Sequence, residues 1–195
     1  MTEDDARAWM DERFGPAVTV RVARFVEMVV AENALQNLVS PGSLPSIWSR
    51  HVVDSAQLID LAPADASSWI DIGTGGGFPG MIVALCWPGS VTMVEPRKRR
   101  AAFLQQCVDR LALPTVHVLA TKVEAVITQA DVISARAVAS VEKLLQAAGG
   151  CATPTTRWIL PRGRSPHGDA GGRLFHVEQS ITDPASSILT LDGVG

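Results

Sequence analysis

The sequence lacks the features that mark membrane proteins, metalloproteins and disulfide-bonded proteins. Among its 195 residues there are only three cysteines, none in a CxxC spacing, and His117, His167 and His176 lack the spacing of metal ligands. We therefore expect reduced cysteines in or near the core and no metal site. No run of eighteen apolar residues occurs, and the first residues, Met-Thr-Glu-Asp-Asp, are acidic and unlike a secretory signal. These absences predict a cytoplasmic protein with no membrane partner.

A general excess of positive charge is also missing. The formal net charge of −3 and the pI near 5.8 exclude an overall basic coat, so any contact with nucleic acid must come from a local patch. One patch is the run Arg97-Lys98-Arg99-Arg100, and a looser group consists of Arg157, Arg162, Arg164 and Arg173. The run begins a predicted helix, where cations oppose the helix dipole, so it is either a contact for phosphates or solvated surface charge.

The first sixty residues have the apolar spacing of helices. Thr2 is the expected N-cap of a first helix that ends near Gly15-Pro16, and a second helix ends near residues 33–37. A third helix is expected from about Pro45 to Asp60. We therefore predict an N-terminal helical cap over residues 1–62, followed by a second domain over residues 63–195.

From Trp69 onward, short apolar runs alternate with helical segments. Strands are predicted at 69–72, 91–95, 115–119, 131–134 and 157–160, and helices at 80–87, 97–111, 122–128 and 138–148. This alternation is typical of right-handed βαβ units, so we predict an α/β protein with a doubly wound, mostly parallel sheet. Two further runs, at 174–181 and 187–191, predict an antiparallel C-terminal edge.

Residues 69–80 read Trp-Ile-Asp-Ile-Gly-Thr-Gly-Gly-Gly-Phe-Pro-Gly, a strand that leads into a glycine loop. Such a loop lets a nucleotide-type cofactor approach the backbone at the carboxyl end of a parallel sheet. The glycine spacing also fits a dinucleotide, but Asp71 would repel a pyrophosphate and stabilise the ammonium and sulfonium groups of S-adenosylmethionine. Glu95, which ends the next strand, is placed to accept hydrogen bonds from ribose hydroxyls. We favour S-adenosylmethionine, with a nicotinamide dinucleotide as the alternative.

Three other positions have chemistry that the local sequence leaves open. Glu124 is either a helix-end charge or a contact for the adenine amino edge. Arg136 follows the fourth strand, where a guanidinium suits a carboxylate, a phosphate or a base, and this position favours a role in the site. Arg50-His51 and Asp54-Ser55 share one helix face, which is either an ordinary polar face with an Arg50–Asp54 pair or a polar lid over the glycine loop.

The motifs that methyltransferases use for other target atoms are missing. The chain has no Asn/Asp-Pro-Pro-aromatic motif for the adenine amino group, no tyrosine, and no cysteine in a Pro-Cys context for cytosine C5. A ring nitrogen such as guanine N7 needs neither base nor nucleophile, because its lone pair points outward. The enzyme then contributes positioning and stabilises the moving charge. By elimination, the sequence favours a ring nitrogen.

Several motifs together resemble those of the RsmG/GidB-type methyltransferases of bacteria, which methylate N7 of a guanine in small-subunit (16S) ribosomal RNA. The likeness extends from about Asn37 to Leu145. It is carried by Asn37-Leu38, Arg50-His51-x-x-Asp54-Ser55, the loop 71–80, Val94-Glu95-Pro96 with Lys98 and Ala102-Phe103-Leu104, Glu124, and Ser134-Ala-Arg-Ala-Val-Ala139.

This resemblance implies a Rossmann-like S-adenosylmethionine-dependent methyltransferase fold and a set of cofactor contacts. The contacts that it implies are Gly73, Phe78, Glu95, Val123, Glu124 and Arg136, and Asp71 and Gly75 of the glycine loop complete the predicted cofactor-binding residues. Arg136 is the candidate catalytic residue. After its fifth strand the chain has Pro161-Arg162-Gly163 where the family has Lys-Gly, so Arg162 would replace that cation.

We therefore expect an enzyme that methylates N7 of a specific guanine in 16S ribosomal RNA and acts as a monomer. The RNA-binding candidates are Arg97, Lys98, Arg99, Arg100 and Arg162. Two other classes of function remain as alternatives. One is a ribosome-assembly factor that binds the cofactor without turnover, and the other is an NAD-dependent oxidoreductase.

Overall fold

The centre of the molecule is a seven-stranded sheet with the strand order β3-β2-β1-β4-β5-β7-β6. The computed structural model describes residues 1–136, 140–162 and 176–193. The strands are β1 Ser68–Ile72, β2 Ser90–Val94, β3 Val116–Leu119, β4 Val132–Ala135, β5 Arg157–Arg162, β6 His176–Gln179 and β7 Ser187–Asp192. The first five are parallel, and β7 is antiparallel to both β5 and β6. The predicted α/β class and the antiparallel edge are confirmed.

The α-helices are α1 Glu3–Phe14, α2 Pro16–Asn33, α3 Asp54–Ala56, α4 Gly80–Cys86, α5 Lys98–Arg110 and α6 Val141–Ala147. Thr2 is the N-cap of α1, and it forms a capping box with Asp5. Gly15 separates α1 from α2 with a φ of 83°, a conformation that side chains other than glycine rarely adopt. The first two predicted helices are therefore confirmed.

The third predicted helix, 45–60, is not a continuous α-helix. The chain forms a 3₁₀-helix at Pro41–Ser46, a π-helix at Trp48–Val53, the single turn α3, and a second 3₁₀-helix at Gln57–Leu61. Pro45 has no N–H, so it removes a donor from the first turns. The backbone N–H groups of Trp48 and Ser49 are instead satisfied by the Glu3 carboxylate, at 3.0 and 2.9 Å. Apolar spacing predicts the buried face of this segment but not its winding.

The predicted helix at 122–128 is also wrong. Only a 3₁₀ turn, Val123–Ala125, forms there, and Val126 is extended. Val126 and Ala130 have helical spacing, and both are buried in one core cluster although no helix forms between them. The predicted helix at 138–148 is observed as α6, with Ser140 as its N-cap; residues 137–139 lie outside the described residues. Of the predicted strand 174–181, residues 176–179 form β6, and residues 174–175 also lie outside.

One hydrophobic core continues across the predicted domain boundary at residue 62. Phe25 and Trp48 of the helical segment belong to the same buried cluster as Trp69, Met81 and Met93 of the sheet and of α4. A second cluster fills the opposite side of the sheet around Trp158 and α6. Residue 62 is therefore a change of secondary structure and not a break in the packing.

The remaining expectations from composition concern cysteines, metals and membranes. Cys107 and Cys151 are buried, Cys86 is partly buried, and all three are free thiols. In the part of the chain that the structure describes, no three histidine, cysteine or acidic side chains gather into a potential metal site. Among the same residues, each helix is too short or too polar to span a bilayer.

Replacement of Glu3 by Ala should destabilise the protein by about 2 kcal/mol, because three hydrogen bonds to a carboxylate are lost and two backbone donors are left unpaired. The free energy of unfolding from urea denaturation measures this. Asp4→Ala is the matched control, since Asp4 is an exposed acid in the same helical turn. Equal losses in the two variants would show that only the helix dipole is involved.

Candidate functional site

The glycine loop leaves the carboxyl end of β1, the central strand between β2 and β4. Ile72 pairs with Val94 on one side and with Ala135 on the other, so the loop emerges among three parallel strand ends. The Gly73 N–H donates to the Val94 carbonyl at 2.8 Å, which turns the chain away from the sheet. This edge is where open α/β sheets bind their ligands.

The glycines of the loop are required for different physical reasons. Gly73 and Gly75 have φ values of 70° and 61°, and around Gly73 the space is open, with no atom within 4 Å of an added Cβ. Gly77 has a φ of 102°, and its added Cβ would lie 2.4 Å from Cζ of Phe25. Gly73 is exposed and Gly77 is buried. The first part of the loop is therefore open to a ligand, and the second part is packed against α2.

Glu95 lies directly after β2 and holds the open part of the loop. Its Oε2 accepts the Gly75 N–H at 2.9 Å, and its Oε1 accepts the Arg97 N–H at 2.8 Å. A carboxylate has about four acceptor positions, so capacity for hydroxyl donors remains. Glu95 is 3% exposed, and its contact with a ribose remains a prediction.

Asp71 lies at the base of the glycine loop, and its contact with the cofactor remains a prediction. The residue is fully buried; its Oδ1 accepts from the Ser134 hydroxyl at 2.7 Å and its Oδ2 from the Gly80 N–H at 3.0 Å. Burial raises the pKa of Asp71 to about 6, although these hydrogen bonds oppose the rise. Asp71 therefore shapes the loop from below.

Phe78, Val123 and Glu124 are placed in three different environments. Phe78 is 4% exposed, with its ring 5.4 Å from that of Phe25 and 5.1 Å from that of His51, so it packs inside the site wall. Val123 is partly buried against the second core, and Glu124 is exposed on the turn after β3. Their contacts with a cofactor remain predictions.

A cavity of about 250 Å³ opens beside Arg136, at the ends of β4 and β5. Its lining comes from the helical segment, from Arg136 and from the C-terminal strands: Ser40, Ser43, Arg50, His51, Asp54, Arg136, Pro161, Arg162, Ser180, Ser186, Ser187 and Ile188. Its lining includes three arginines and five serines. Arg162 lies here and not with the basic run.

Arg136 lines this cavity and contacts two residues of the helical segment. Its Nη2 is 2.8 Å from Nδ1 of His51, and its Nη1 is 3.7 Å from Oδ2 of Asp54. Among the described residues, Asp54 has its ion pair with Arg136 and not with Arg50. The His51 ring also packs on Phe78 of the glycine loop. These contacts support the lid interpretation of the 50–55 face and correct the Arg50–Asp54 pair.

The basic run divides into exposed and tethered members. Arg97, Lys98 and Arg99 are exposed. Arg99 and Arg100 donate to the carbonyls of Leu35 and Asn37, at 3.4 and 2.7 Å. In the looser group, Arg157 pairs with Asp192, and Arg164 and Arg173 lie outside the described residues. In this run Arg97 and Lys98 are therefore the exposed half, and Arg99 and Arg100 are the half that is hydrogen-bonded to the backbone.

Sequence reasoning did not identify the serines of the cavity as site residues. Ser40 and Ser43 belong to a polar turn after α2, and Ser180, Ser186 and Ser187 lie around the turn between β6 and β7. No motif links these segments, because they approach one another only in the folded sheet. The polar turn at 40–43 is the one local signal, and it predicts a surface loop equally well.

Comparison with known proteins identifies the family. A family model described as "GidB: rRNA small subunit methyltransferase G" matches residues 19–179. The ribosomal RNA small subunit methyltransferase G of Sphingopyxis alaskensis is 41% identical, with 98% of this chain and 86% of that protein covered. The chain belongs to the rRNA small subunit methyltransferase G family. The Erythrobacter litoralis member is 42% identical, over 96% of this chain and 95% of its own.

Solved structures confirm the fold. A SAM-dependent methyltransferase from Aquifex aeolicus matches with a TM-score of 0.61 at 14% identity, covering 85% of this chain and 98% of that one. An rRNA methylase from Streptococcus thermophilus matches with a TM-score of 0.53 at 10% identity, covering 72% and 95%. As a member of the methyltransferase G family the chain is a methyltransferase whose cofactor is S-adenosylmethionine. The dinucleotide alternative is therefore set aside.

Asp71 generates a prediction about pH. Its folded pKa of about 6 lies above the unfolded value of about 4, so the folded state holds the proton more tightly. The protonated Asp71 carboxyl therefore contributes stability to the folded state below about pH 4, and this contribution is lost as the pH rises through 6. The free energy of unfolding of the wild type, minus that of Asp71→Asn, should fall by about 2 kcal/mol from pH 4 to pH 7.

The difference between the two proteins is needed because His51 acts in the opposite direction. Its pKa is lowered to about 3 by burial and by Arg136, so its contribution is lost as the pH falls below about 6.5. Urea denaturation at each pH gives the curve, and Asp65→Asn, an exposed acid, is the control. A difference curve that is flat for Asp71→Asn would contradict the assignment.

Proposed function

We propose that the protein transfers the methyl group of S-adenosylmethionine to N7 of a specific guanine in 16S ribosomal RNA, as a cytoplasmic monomer. Membership in the rRNA small subunit methyltransferase G family supports the reaction class and the RNA. The single structural observation that carries the proposal is the juxtaposition at one sheet edge. The glycine loop with Glu95 lies beside a cavity that Arg136 helps to line, and His51 connects the two through its contacts with Phe78 and Arg136.

The residues at the loop fit S-adenosylmethionine. The space around Gly73 is open, and Glu95 retains acceptor capacity for ribose hydroxyls. Val123 and Glu124 follow β3, the strand next to the one that carries Glu95. When bound, the cofactor supplies a methyl group on a positively charged sulfur. Gly73, Gly75, Glu95, Val123 and Glu124 would bind and orient it.

The cavity suits a guanine nucleotide. Its volume of about 250 Å³ accommodates a base with part of its sugar-phosphate, and Arg50, Arg136 and Arg162 line it. Guanidinium groups bind phosphate oxygens through paired N–H donors and stack on bases. A base must leave its stack to enter such a cavity, which is the general requirement of enzymes that modify bases.

The chemistry at N7 requires little more than positioning. N7 of guanine has a lone pair and carries no hydrogen, so no proton has to be removed from it. The chain's polar groups then hold the base in line with the methyl group and exclude water. His51 is neutral throughout the physiological range and is therefore no proton donor at the site, because burial and Arg136 lower its pKa to about 3.

The exposed half of the basic run provides the contact for RNA beyond the site. Arg97 is the N-cap residue of α5, and its N–H is bound by Glu95, so Arg97 and Lys98 lie beside the loop. Cations at a helix N-terminus oppose the dipole, which is unfavourable without an anionic partner. A phosphate backbone is such a partner.

Incubation with methyl-labelled S-adenosylmethionine and small ribosomal subunits should label one guanine at N7. Mapping the modified base by mass spectrometry and primer extension is the decisive measurement. The Arg136→Ala variant should fold normally and lose about a hundredfold or more in rate, since a group at the cavity wall is removed.

Free 16S RNA and a bacterial large subunit serve as substrate controls. Label on protein, on a small molecule or on large-subunit RNA would reject the substrate class. Binding of both cofactor and subunit with no transfer would instead favour the assembly-factor alternative. Full activity of Arg136→Ala would remove that residue from the site.

The Arg97→Gln/Lys98→Gln variant should bind RNA more weakly and with a smaller salt dependence. Each lost phosphate contact lowers the slope of log K against log salt by roughly 0.7–0.9. Filter binding or fluorescence anisotropy at several salt concentrations gives this slope. Arg110→Gln is the matched control, because Arg110 is exposed at the opposite end of the same helix. If both variants have the wild-type slope, the run is solvated surface charge.

A further inference from the structure

The guanidinium of Arg136 is held from two sides by the helical segment. Nδ1 of His51 lies 2.8 Å from Nη2, and Oδ2 of Asp54 lies 3.7 Å from Nη1. The Arg136 side chain retains 27% of its exposure, on the side of the cavity. The segment and Arg136 are far apart in sequence, so this contact exists only in the folded protein.

The partners of His51 determine its tautomer. Arginine has only donors, so Nδ1 of His51 must be the acceptor in its contact with Arg136. Nε2 of His51 then carries the hydrogen and donates to Oγ of Ser43 at 2.9 Å. Ser43 in turn donates to the Ser40 carbonyl at 2.8 Å. The imidazole therefore has one orientation and one protonation state, and Phe78 packs against its face.

Asp54 is fixed on its other side by the C-terminal strands. Its Oδ1 accepts from Gln57 at 3.0 Å, from Thr182 at 3.0 Å and from Ser180 at 3.3 Å. Thr182 and Ser180 follow β6. The carboxylate beside Arg136 is thus anchored to a part of the fold that is independent of His51.

The long arginine side chain would otherwise lose conformational freedom when it bound a ligand. A guanidinium that is already held avoids this loss and keeps its remaining N–H groups directed at the cavity. Lysine offers a single point charge and cannot keep two partners while presenting a planar fork.

We propose that His51 and Asp54 are positioning residues that act through Arg136, holding its guanidinium in a binding-competent orientation between the cofactor crevice and the cavity. The inference rests on the proposed function for its kinetic consequence but not for its geometry. It gives the polar face at 50–55 a specific role: the unprotonated Nδ1 of His51 is the required atom.

A matched pair of His51 variants tests which atom matters. The Asn oxygen can occupy the position of Nδ1, whereas Gln reaches only the position of Nε2, and both remove the ring from Phe78. We expect His51→Asn to retain kcat/KM for RNA methylation within about threefold, and His51→Gln to lose roughly tenfold to a hundredfold. Equal losses would mean that the ring only fills space, and the proposal would be overturned.

Asp54→Asn keeps an acceptor but removes the charge, and should lose roughly tenfold in kcat/KM. Asp60→Asn is its control, since Asp60 forms an exposed ion pair with Arg13 in the neighbouring turn. A decline in activity that merely follows a decline in thermal stability in all variants would contradict a positioning role.

A double-mutant cycle asks whether His51 acts through Arg136. In an Arg136→Lys background, measured by single-turnover labelling, His51→Gln should cause no further loss. The same loss in both backgrounds would show that His51 acts elsewhere.

Imidazole nitrogen NMR of the full chain separates this inference from the proposed function. We expect the Nε2–H tautomer at His51, and we expect the tautomer equilibrium to change when Arg136 is replaced by Ala. These two results would support the contact whether or not guanine is the substrate. A charged imidazole or an Nδ1–H tautomer at neutral pH would overturn the inference even if methylation is observed.

Discussion

The glycine loop depends on one buried carboxylate. Asp71 accepts a hydrogen bond from Ser134 on β4 and one from the Gly80 N–H at the beginning of α4, so it joins three elements around the crevice. Ser134 also accepts the indole N–H of Trp69 at 2.9 Å. Only glycine fits at position 80, because an added Cβ would lie 2.8 Å from Oδ2 of Asp71. Burial of the charge is unfavourable, and the elevated pKa expresses this. The spacing of Asp71 and Gly80 is therefore explained by the loop's own geometry.

Glu95 is the complementary carboxylate, at the front of the same loop. Because it accepts the N–H groups of both Gly75 and Arg97, it links the glycine loop to the N-cap residue of α5. Its negative charge near that helix end also offsets part of the repulsion between the dipole and the basic run. The two carboxylates therefore hold different parts of the loop: Asp71 accepts the Gly80 N–H, and Glu95 accepts the Gly75 N–H.

The fold was predictable wherever apolar pattern alone determines the structure. The strands at 69–72 and 157–160 are within a few residues of their predicted limits because a buried central strand needs a continuous apolar run. The prediction of a helix at 122–128 was wrong. Buried residues four apart, such as Val126 and Ala130, are expected in a helix, but an extended chain can bury the same two residues. Sequence reasoning named Asp71 and Phe78 as site residues, but it did not predict that both side chains would be buried by other parts of the chain. The rings of Phe25 and His51 come from distant segments, and local sequence contains no information about them.

The crevice at the glycine loop and the cavity beside Arg136 also differ in how far they could be predicted from the sequence. The cofactor crevice is largely formed by residues 71–97, so a glycine loop and the next acidic strand end suffice to recognise it. The cavity is assembled from the turn at 40–43, the face at 50–55, Arg136 and the strands after 157. Asp54 and Gln57 bind the β6–β7 turn, so the cavity is complete only after the last strand has joined the sheet. A site that depends on long-range closure is specified by packing and not by motif. For this reason sequence reasoning identifies the donor of the methyl group more directly than the RNA that receives it.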